Sequence, residues 1–140
     1  MAKVVAGVLR EFGTKEAMIV RGRDGIDEFS ITSPTDVVHL KNKKISSFSL
    51  SPKDFGIKFS KIASLKNLVA KDKRRSSEVI LEVLNGEKNS ARDIVLINSA
   101  AAIKHSGMVK SYKEGVALAA NAIDSGGAMR VLNSMKESNK

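Results

Sequence analysis

A segment that is apolar on nearly every side constrains the fold of this chain most strongly. Ser90-Ala91-Arg92-Asp93 resembles a capping box, and from it the sequence predicts a helix that runs to Ile103. Ile, Val, Leu and Ala surround most of this helix until Lys104. Because a helix that is hydrophobic all round must be covered on several sides, we expect it in the middle of the fold.

The N-terminal half predicts one helix followed by three strands. The helix is indicated by apolar residues at the i, i+3, i+4 and i+7 spacing of a single buried face, namely Val5, Val8, Leu9 and Phe12. Gly13 is placed to end it, and no capping residue precedes Val4, so we expect the chain to begin inside a longer fold. Apolar or alternating runs predict strands at 17–20, 36–40 and 45–50, the last two joined as a hairpin across 41–44.

The C-terminal half predicts helices only. One begins near Ser76 and stops at Gly86, and another opens at the capping box Ser111-Tyr112-Lys113-Glu114 and ends at Gly126 and Gly127. A last amphipathic helix gives way to a polar tail. The sequence therefore predicts one domain over residues 1–140, of the mixed α/β or α+β class, with strands first and then a block of helices.

Composition excludes several classes of function. No apolar run approaches the ~18 residues that a membrane span needs, and the lack of cysteine excludes disulfides and thiolate metal sites. We therefore expect a cytoplasmic protein with no membrane partner. The net charge of +9 invites a nucleic-acid partner, and the densest basic run is Lys71 to Arg75, with Lys61 and Lys66 upstream. Because no aromatic residue in that run can stack on bases, we favour a solvated loop over a nucleic-acid patch.

The segment with the most chemical content is Arg21 to Glu28, directly after the first strand. Gly25 frees the backbone to turn, which lets Asp27 and Glu28 converge on one cation. Mg²⁺ typically binds one or two carboxylates together with phosphate oxygens, and the two arginines of the segment would add phosphate contacts. By spacing alone, however, a solvated Asp-Gly turn is the stronger interpretation.

Other candidates carry weaker signals. His39 falls in a predicted strand and His105 near a helix end, and neither has a second histidine at metal-ligand spacing, which favours structural or surface roles. Ser125-Gly126-Gly127 is similar to a phosphate-binding loop, but it lies where one helix must stop and another start. Helix termination is the favoured interpretation there.

Several segments acquire meaning when they are taken together and in order. They are Val20 to Ser30, Ser33-Pro34-Thr35, Ser51 to Ile57, Val83-Leu84-Asn85-Gly86, Ala91-Arg92-Asp93, Asn98, Glu114-Gly115-Val116 and Ala122 to Gly126. At consistent spacing they resemble motifs of the anthranilate phosphoribosyltransferase family, of the nucleoside phosphorylase-like superfamily. The first is similar to that family's Val-His-Gly-x-Asp-Gly-Leu-Asp-Glu-Ile-Ser. The resemblance extends from about Ala2 to Lys136, and collinear matches are more specific than any single one.

The resemblance implies a fold, an activity and a metal site. The fold would be the C-terminal part of the family's α/β domain. The activity would be phosphoribosyl transfer from phosphoribosyl pyrophosphate to anthranilate in tryptophan biosynthesis, with Asp27 and Glu28 binding Mg²⁺ on the pyrophosphate. Two departures stand out: Arg21 replaces the usual His, and the basic stretch Val69 to Ser77 replaces a Gly-Gly and acidic-Asn pattern.

The family's other motifs would precede these residues. Its Gly-Thr-Gly-Gly-Asp loop, its Lys-His-Gly-Asn-Arg segment and its anthranilate-binding arginine have no counterpart among the 140 residues. We therefore expect a split subunit, a truncated protein or a fragment that binds substrate poorly and is inactive alone. An N-terminal partner chain and a homodimer stay open, as does a catalytically inactive domain that binds nucleic acid or another partner through its basic surface. The Asp-Gly-Ile-Asp-Glu segment argues against a nucleoside phosphorylase of the same superfamily.

Overall fold

The chain combines a small antiparallel sheet with a layer of helices. The computed structural model describes residues 1–57 and 69–138, so that Lys61 and Lys66 of the basic segment lie outside the described residues. The elements are α1 (Ala2–Glu11), β1 (Glu16–Gly22), β2 (Thr35–Lys41), β3 (Lys44–Leu50), a 3-10 helix (Pro52–Phe55), α2 (Lys73–Leu84), α3 (Ser90–His105), α4 (Tyr112–Asp124) and α5 (Gly127–Glu137). The predicted class, with strands first and helices after, is confirmed.

The sheet has the order β1-β2-β3, and both of its pairings are antiparallel. The predicted hairpin is a two-residue turn in which Asn42 and Lys43 have φ angles of 48° and 65°. Positive φ at both central residues gives the backbone twist that matches paired strands. Val37, on one face of β2, is buried against α3, while Val38 and Leu40 are buried on the opposite face, where α1 packs.

Helix α3 lies in the middle of the described fold, as its all-round apolar character predicts. Ile97, Ala100 and Ala101 pack towards the sheet, in a cluster with Phe29 and Phe55. On its other side, Leu96 joins a second cluster with residues of α2 and α4, namely Val83, Ala119 and Ile123. The predicted N-cap is wrong by one residue: the Asn89 side chain, and not that of Ser90, accepts a hydrogen bond from the Arg92 backbone N–H at 2.9 Å.

Helices α3 and α4 approach so closely that one position excludes any side chain. A Cβ atom on Gly115 would lie 2.8 Å from the backbone oxygen of Ala100 and 3.0 Å from its Cα. The Arg92 side chain, itself buried, adds a polar tie between the same helices through Asp124, with N–O distances of 2.9 Å. Gly126, with φ of 72°, separates α4 from α5, which confirms helix termination at that glycine pair.

Helix α1 exists as predicted and is followed by Gly13 at φ of 79°, but its predicted buried face is wrong. Val5 and Val8 are exposed and Phe12 is 84% exposed, whereas the buried residue of the helix is Ala6. The small Ala6 side chain lets the helix approach the sheet, and of the predicted face Leu9 is partly buried while the described elements leave Val5, Val8 and Phe12 exposed. Among the described residues, no helix combines the length and apolar character needed to cross a membrane.

Candidate functional site

A tight turn follows β1 and carries the acidic motif. The Gly22 N–H donates to the Ile26 carbonyl at 2.9 Å, and the Gly25 N–H donates to the Gly22 carbonyl at 3.0 Å. Gly25 has φ of 102°, which side chains disfavour, and a Cβ on Gly22 would lie 2.9 Å from the Ile26 side chain. The backbone conformation thus favours glycine at position 25, whereas position 22 favours glycine because a Cβ there would overlap neighbouring side chains.

Asp24 organises the rest of the loop. Its carboxylate accepts hydrogen bonds from the hydroxyls of Ser30 and Thr32, and the Ser30 hydroxyl in turn accepts from the backbone N–H groups of Thr32 and Ser33. Burial alone would raise the pKa of Asp24, but the hydrogen bonds from Ser30 and Thr32 stabilise the anion and bring the pKa below its usual value. One oxygen of Asp24 is thus bound by two hydroxyls and the other is buried, which makes Asp24 a structural carboxylate.

Asp27 and Glu28 stand at the far side of this turn in different surroundings. Asp27 is exposed, whereas Glu28 is partly buried and accepts a hydrogen bond from the Asn98 side-chain amide at 3.1 Å. Burial, and secondly the negative charge of Asp27, raise the pKa of Glu28. The local environment therefore disfavours two adjacent anions, and a bound cation would relieve that repulsion.

Asn98 of α3 fixes the backbone next to this pair. Its side-chain oxygen accepts from the Phe29 N–H at 3.0 Å, and its amide donates to the Phe29 carbonyl at 3.2 Å as well as to Glu28. The Phe29 ring is buried against Phe55, with ring centroids 5.3 Å apart. The acidic pair is consequently held between the end of β1 and the centre of α3. In the sequence Asn98 is recognisable only as part of a motif, and its positioning role was not predicted.

The arginines of the motif have separate surroundings. Arg23 pairs with Asp36 at 2.8 Å, and the hydrogen bonds to this carboxylate raise the pKa of Arg23. Arg21 is exposed and contributes to an open cleft of about 270 Å³ beside Asp27. The cleft is mainly apolar and also includes Met1, Ala2, Val5, Ile19, Val20, Gly25 and Ile26. Arg21 is therefore the better placed of the two for a ligand near Asp27.

The basic run Lys71 to Arg75 is solvated, as its composition favours, but its last three residues are helical and not a loop. Asp72 caps α2 by accepting from the Arg75 N–H at 2.7 Å, and the next three residues form the first turn of the helix. Arg75 pairs with Glu82 at 2.5 Å, and Arg74 pairs with Glu78 at 3.3 Å. The loop prediction is wrong for Lys73 to Arg75 because it overlooked Asp72 as an N-cap, whereas Lys71 and Asp72 precede the helix. Ion pairs within the helix offset part of the positive charge and give no support to a nucleic-acid surface.

The two histidines, by contrast, come together in space. His39 and His105 have ring centroids 5.6 Å apart and both lie next to Glu16. Because the two histidines are far apart in the sequence, the spacing of metal-binding motifs could not reveal that they are neighbours in the fold.

Comparison with known proteins places this arrangement in context. Residues 1–129 match the family described as "Glycosyl transferase family, a/b domain". Anthranilate phosphoribosyltransferase from Thermoanaerobacter sp. (strain X514) is 41% identical over 133 residues, which are 95% of this chain and 38% of that protein. The enzyme of that name from Parvibaculum lavamentivorans is 42% identical over 130 residues, covering 93% of this chain and 37% of the relative.

Solved structures give the same result in three dimensions. Anthranilate phosphoribosyltransferase from Saccharomyces cerevisiae in complex with PRPP and Mg has a TM-score of 0.81 and 29% identity, covering 94% of this chain and 38% of that one. The enzyme from Thermus thermophilus has a TM-score of 0.80 and 28% identity, covering 95% of this chain and 38% of that one. The chain thus spans well under half the length of the relatives that it matches.

Proposed function

The chain belongs to the glycosyl transferase family defined by this a/b domain, and from that premise we propose that it forms one part of an anthranilate phosphoribosyltransferase. With the remainder of the family fold, it would transfer the phosphoribosyl group of phosphoribosyl pyrophosphate to anthranilate. The observation that carries the proposal is the Asn98 clamp, the hydrogen bonds by which Asn98 holds Glu28 and the Phe29 backbone beside Asp27. A relative with a similar fold is known in complex with PRPP and Mg.

The residues present fit a magnesium ion on chemical grounds. Mg²⁺ prefers oxygen ligands and usually keeps several waters, so it needs only one or two carboxylates from the protein. Asp27 is exposed, and one oxygen of Glu28 is engaged by Asn98 while the other has no hydrogen bond among the described residues. A divalent ion bound there would neutralise charge on the departing pyrophosphate oxygens. Asp27 and Glu28 would hold it.

The roles of the neighbouring residues follow from their contacts. Asn98 keeps Glu28 and the Phe29 backbone in place, so that little reorganisation is required when a ligand binds. Asp24 keeps the turn closed through Ser30 and Thr32. The exposed Arg21 side chain lines the same cleft as Asp27 and would contact phosphate oxygens bound there.

Completion of the site requires polypeptide beyond these 140 residues. Support comes from the matched relatives, of which the chain covers 38% in the first case, and from the exposed apolar side chains of α1. Val5 of that helix lines the same cleft as Asp27, so a segment that covers α1 would also approach the acidic pair. Such a segment would come from an N-terminal partner chain or the same polypeptide, and a second copy of the chain is a further candidate. We expect the isolated chain to be inactive.

Reconstitution tests this proposal. The chain is mixed with a polypeptide that carries the family's glycine-rich phosphate loop, and formation of phosphoribosyl-anthranilate is followed with phosphoribosyl pyrophosphate and Mg²⁺. Activity should appear only in the mixture, and Asp27→Asn or Glu28→Gln should lower it by about a hundredfold or more. Glu87→Gln, an exposed carboxylate beyond α2, is the matched control and should retain activity. A mixture without activity, or one insensitive to Asp27 and Glu28, would contradict the proposal.

A further inference from the structure

A second group of potential ligands lies at the other end of the sheet. Glu16 of β1, His39 of β2 and His105 of α3 point their side chains at one another, and one ligand atom of each lies within 4.8 Å of the others. The Glu16 Oε1 atom is 2.9 Å from Nε2 of His39 and 3.5 Å from Nδ1 of His105. We propose that Glu16, His39 and His105 bind a transition-metal ion of the Zn²⁺ class.

Regular secondary structure holds all three ligands. Glu16 pairs with Lys41 and Met18 with His39 in the β1–β2 register, so that Glu16 and His39 share one face of the sheet on adjacent strands. His105 is the last residue of α3, and this helix lies over the same face. Ladder and helix hydrogen bonds therefore hold the backbones of the three residues, and only side-chain adjustment is needed to admit an ion.

The two distances from Glu16 are compatible with a tetrahedral ion. Zn²⁺ binds imidazole nitrogen and carboxylate oxygen at about 2.0–2.1 Å, which places neighbouring tetrahedral ligand atoms about 3.3 Å apart. The observed separations of 2.9 and 3.5 Å lie on either side of that value. Two imidazoles and one carboxylate are a set that suits zinc and its neighbours, in contrast to the oxygen ligands that Mg²⁺ prefers.

The fourth position of the ion would face a small cavity. This cavity has a volume of about 180 Å³, and Phe48, Lys104 and Tyr112 contribute to its walls. A water molecule or a small ligand would complete the coordination there, because three protein ligands leave one position open. Asn98, which contacts the acidic pair, lies seven residues before His105, or about 10 Å along α3. The two metal sites are therefore separate.

Lys41 opposes binding directly, because it pairs with one of the three ligands. Its ammonium lies 3.1 Å from Glu16 Oε1 and competes with a cation for this carboxylate. The Lys41 side chain is 58% exposed, so the ammonium can move into water on its flexible stem when an ion enters. Removing the Lys41 charge should therefore tighten metal binding. If the three residues formed only an ion-pair network, this substitution would not create tighter binding of a metal.

The composition makes the test direct. The sequence contains two histidines and no cysteine, so that imidazole coordination within one chain must use His39 and His105. Zn²⁺ binding to the 140-residue chain, without an affinity tag, is measured by calorimetry, and Co²⁺ is used as a visible probe because tetrahedral sites give intense absorption bands. We expect one Zn²⁺ per chain and no comparable binding of Mg²⁺ at this site.

Four variants decide the assignment. His39→Gln and His105→Gln, which lie on different elements, should each weaken Zn²⁺ binding by more than about tenfold and abolish the Co²⁺ bands. Lys41→Met should tighten binding, and Asp27→Asn, on the separate acidic pair, should leave it unchanged. Circular dichroism checks that each variant is folded. Binding weaker than about 0.1 mM, retention in both histidine variants, or loss in Asp27→Asn would overturn the proposal.

Discussion

The Asn98 side chain offers the sharpest test of how the acidic turn is held. Asn98→Ala removes the acceptor of the Phe29 N–H in a buried residue, and leaving such a donor unpaired costs about 1–3 kcal/mol. It also removes donated hydrogen bonds to the Phe29 carbonyl and the Glu28 carboxylate, each worth about 0.5–1.5 kcal/mol net. The higher helix propensity of Ala offsets about 0.6 kcal/mol of this loss. Together these terms should lower the free energy of unfolding by about 1–5 kcal/mol.

Urea denaturation followed by circular dichroism measures this change. With a slope of about 2 kcal/mol per molar urea, the midpoint should fall by about 0.5–2.5 M. Asn121→Ala is the matched control, because Asn121 is an exposed asparagine inside α4, and its replacement should be neutral or slightly stabilising. Asn98→Asp keeps an oxygen that accepts from the Phe29 N–H, but it places a second carboxylate next to that of Glu28. If Asn98→Ala shifts the midpoint no more than the control does, the account of the clamp is refuted.

Two further predictions concern packing and pH. Gly115→Ala should destabilise the chain by about 1–3 kcal/mol in urea denaturation, because its Cβ would overlap the Ala100 backbone. Gly7→Ala in α1, whose Cβ would meet nothing within 4 Å, should be neutral or stabilising in the same assay. Equal effects of the two substitutions would argue against close α3–α4 packing. Glu28 has a raised pKa in the folded state, so the folded chain binds its proton more tightly, and this contribution to stability is lost as pH rises from about 4.5 through the folded pKa. The Glu28→Gln variant should therefore become more stable relative to the unsubstituted chain as pH rises towards 7. If the difference between their unfolding free energies stays constant with pH, this prediction is contradicted.

Local sequence signals located most of the secondary structure. The strands, the hairpin at Asn42 and Lys43, and the stop at Gly126 follow from patterns spanning a few residues, and the structure has them where expected. The buried position of α3 also follows from its composition, because an all-apolar helix has few stable alternatives. The collinear motifs then identified the family, since many ordered matches are improbable by coincidence.

Errors arose where the outcome depended on residues far apart in the chain or on a competing local group. The apolar face of α1 has the periodicity of a buried surface, but periodicity cannot state whether a partner element is present, and Phe12 is exposed. The basic run became a helix start because Asp72 supplied a cap, a single hydrogen bond that charge counting ignores.

The acidic pair and the histidines show most clearly what the sequence determines and what the tertiary structure decides. The sequence by itself determined that Asp27 and Glu28 follow a strand on a glycine-containing turn. Only the tertiary structure brought Asn98 against Glu28, seventy residues away, and so distinguished a held carboxylate from an exposed one. In the same way, strand register and the end of α3 placed His39 and His105 around Glu16. Sequence spacing describes neighbours within one element, whereas a site assembled from three elements is decided by how those elements pack.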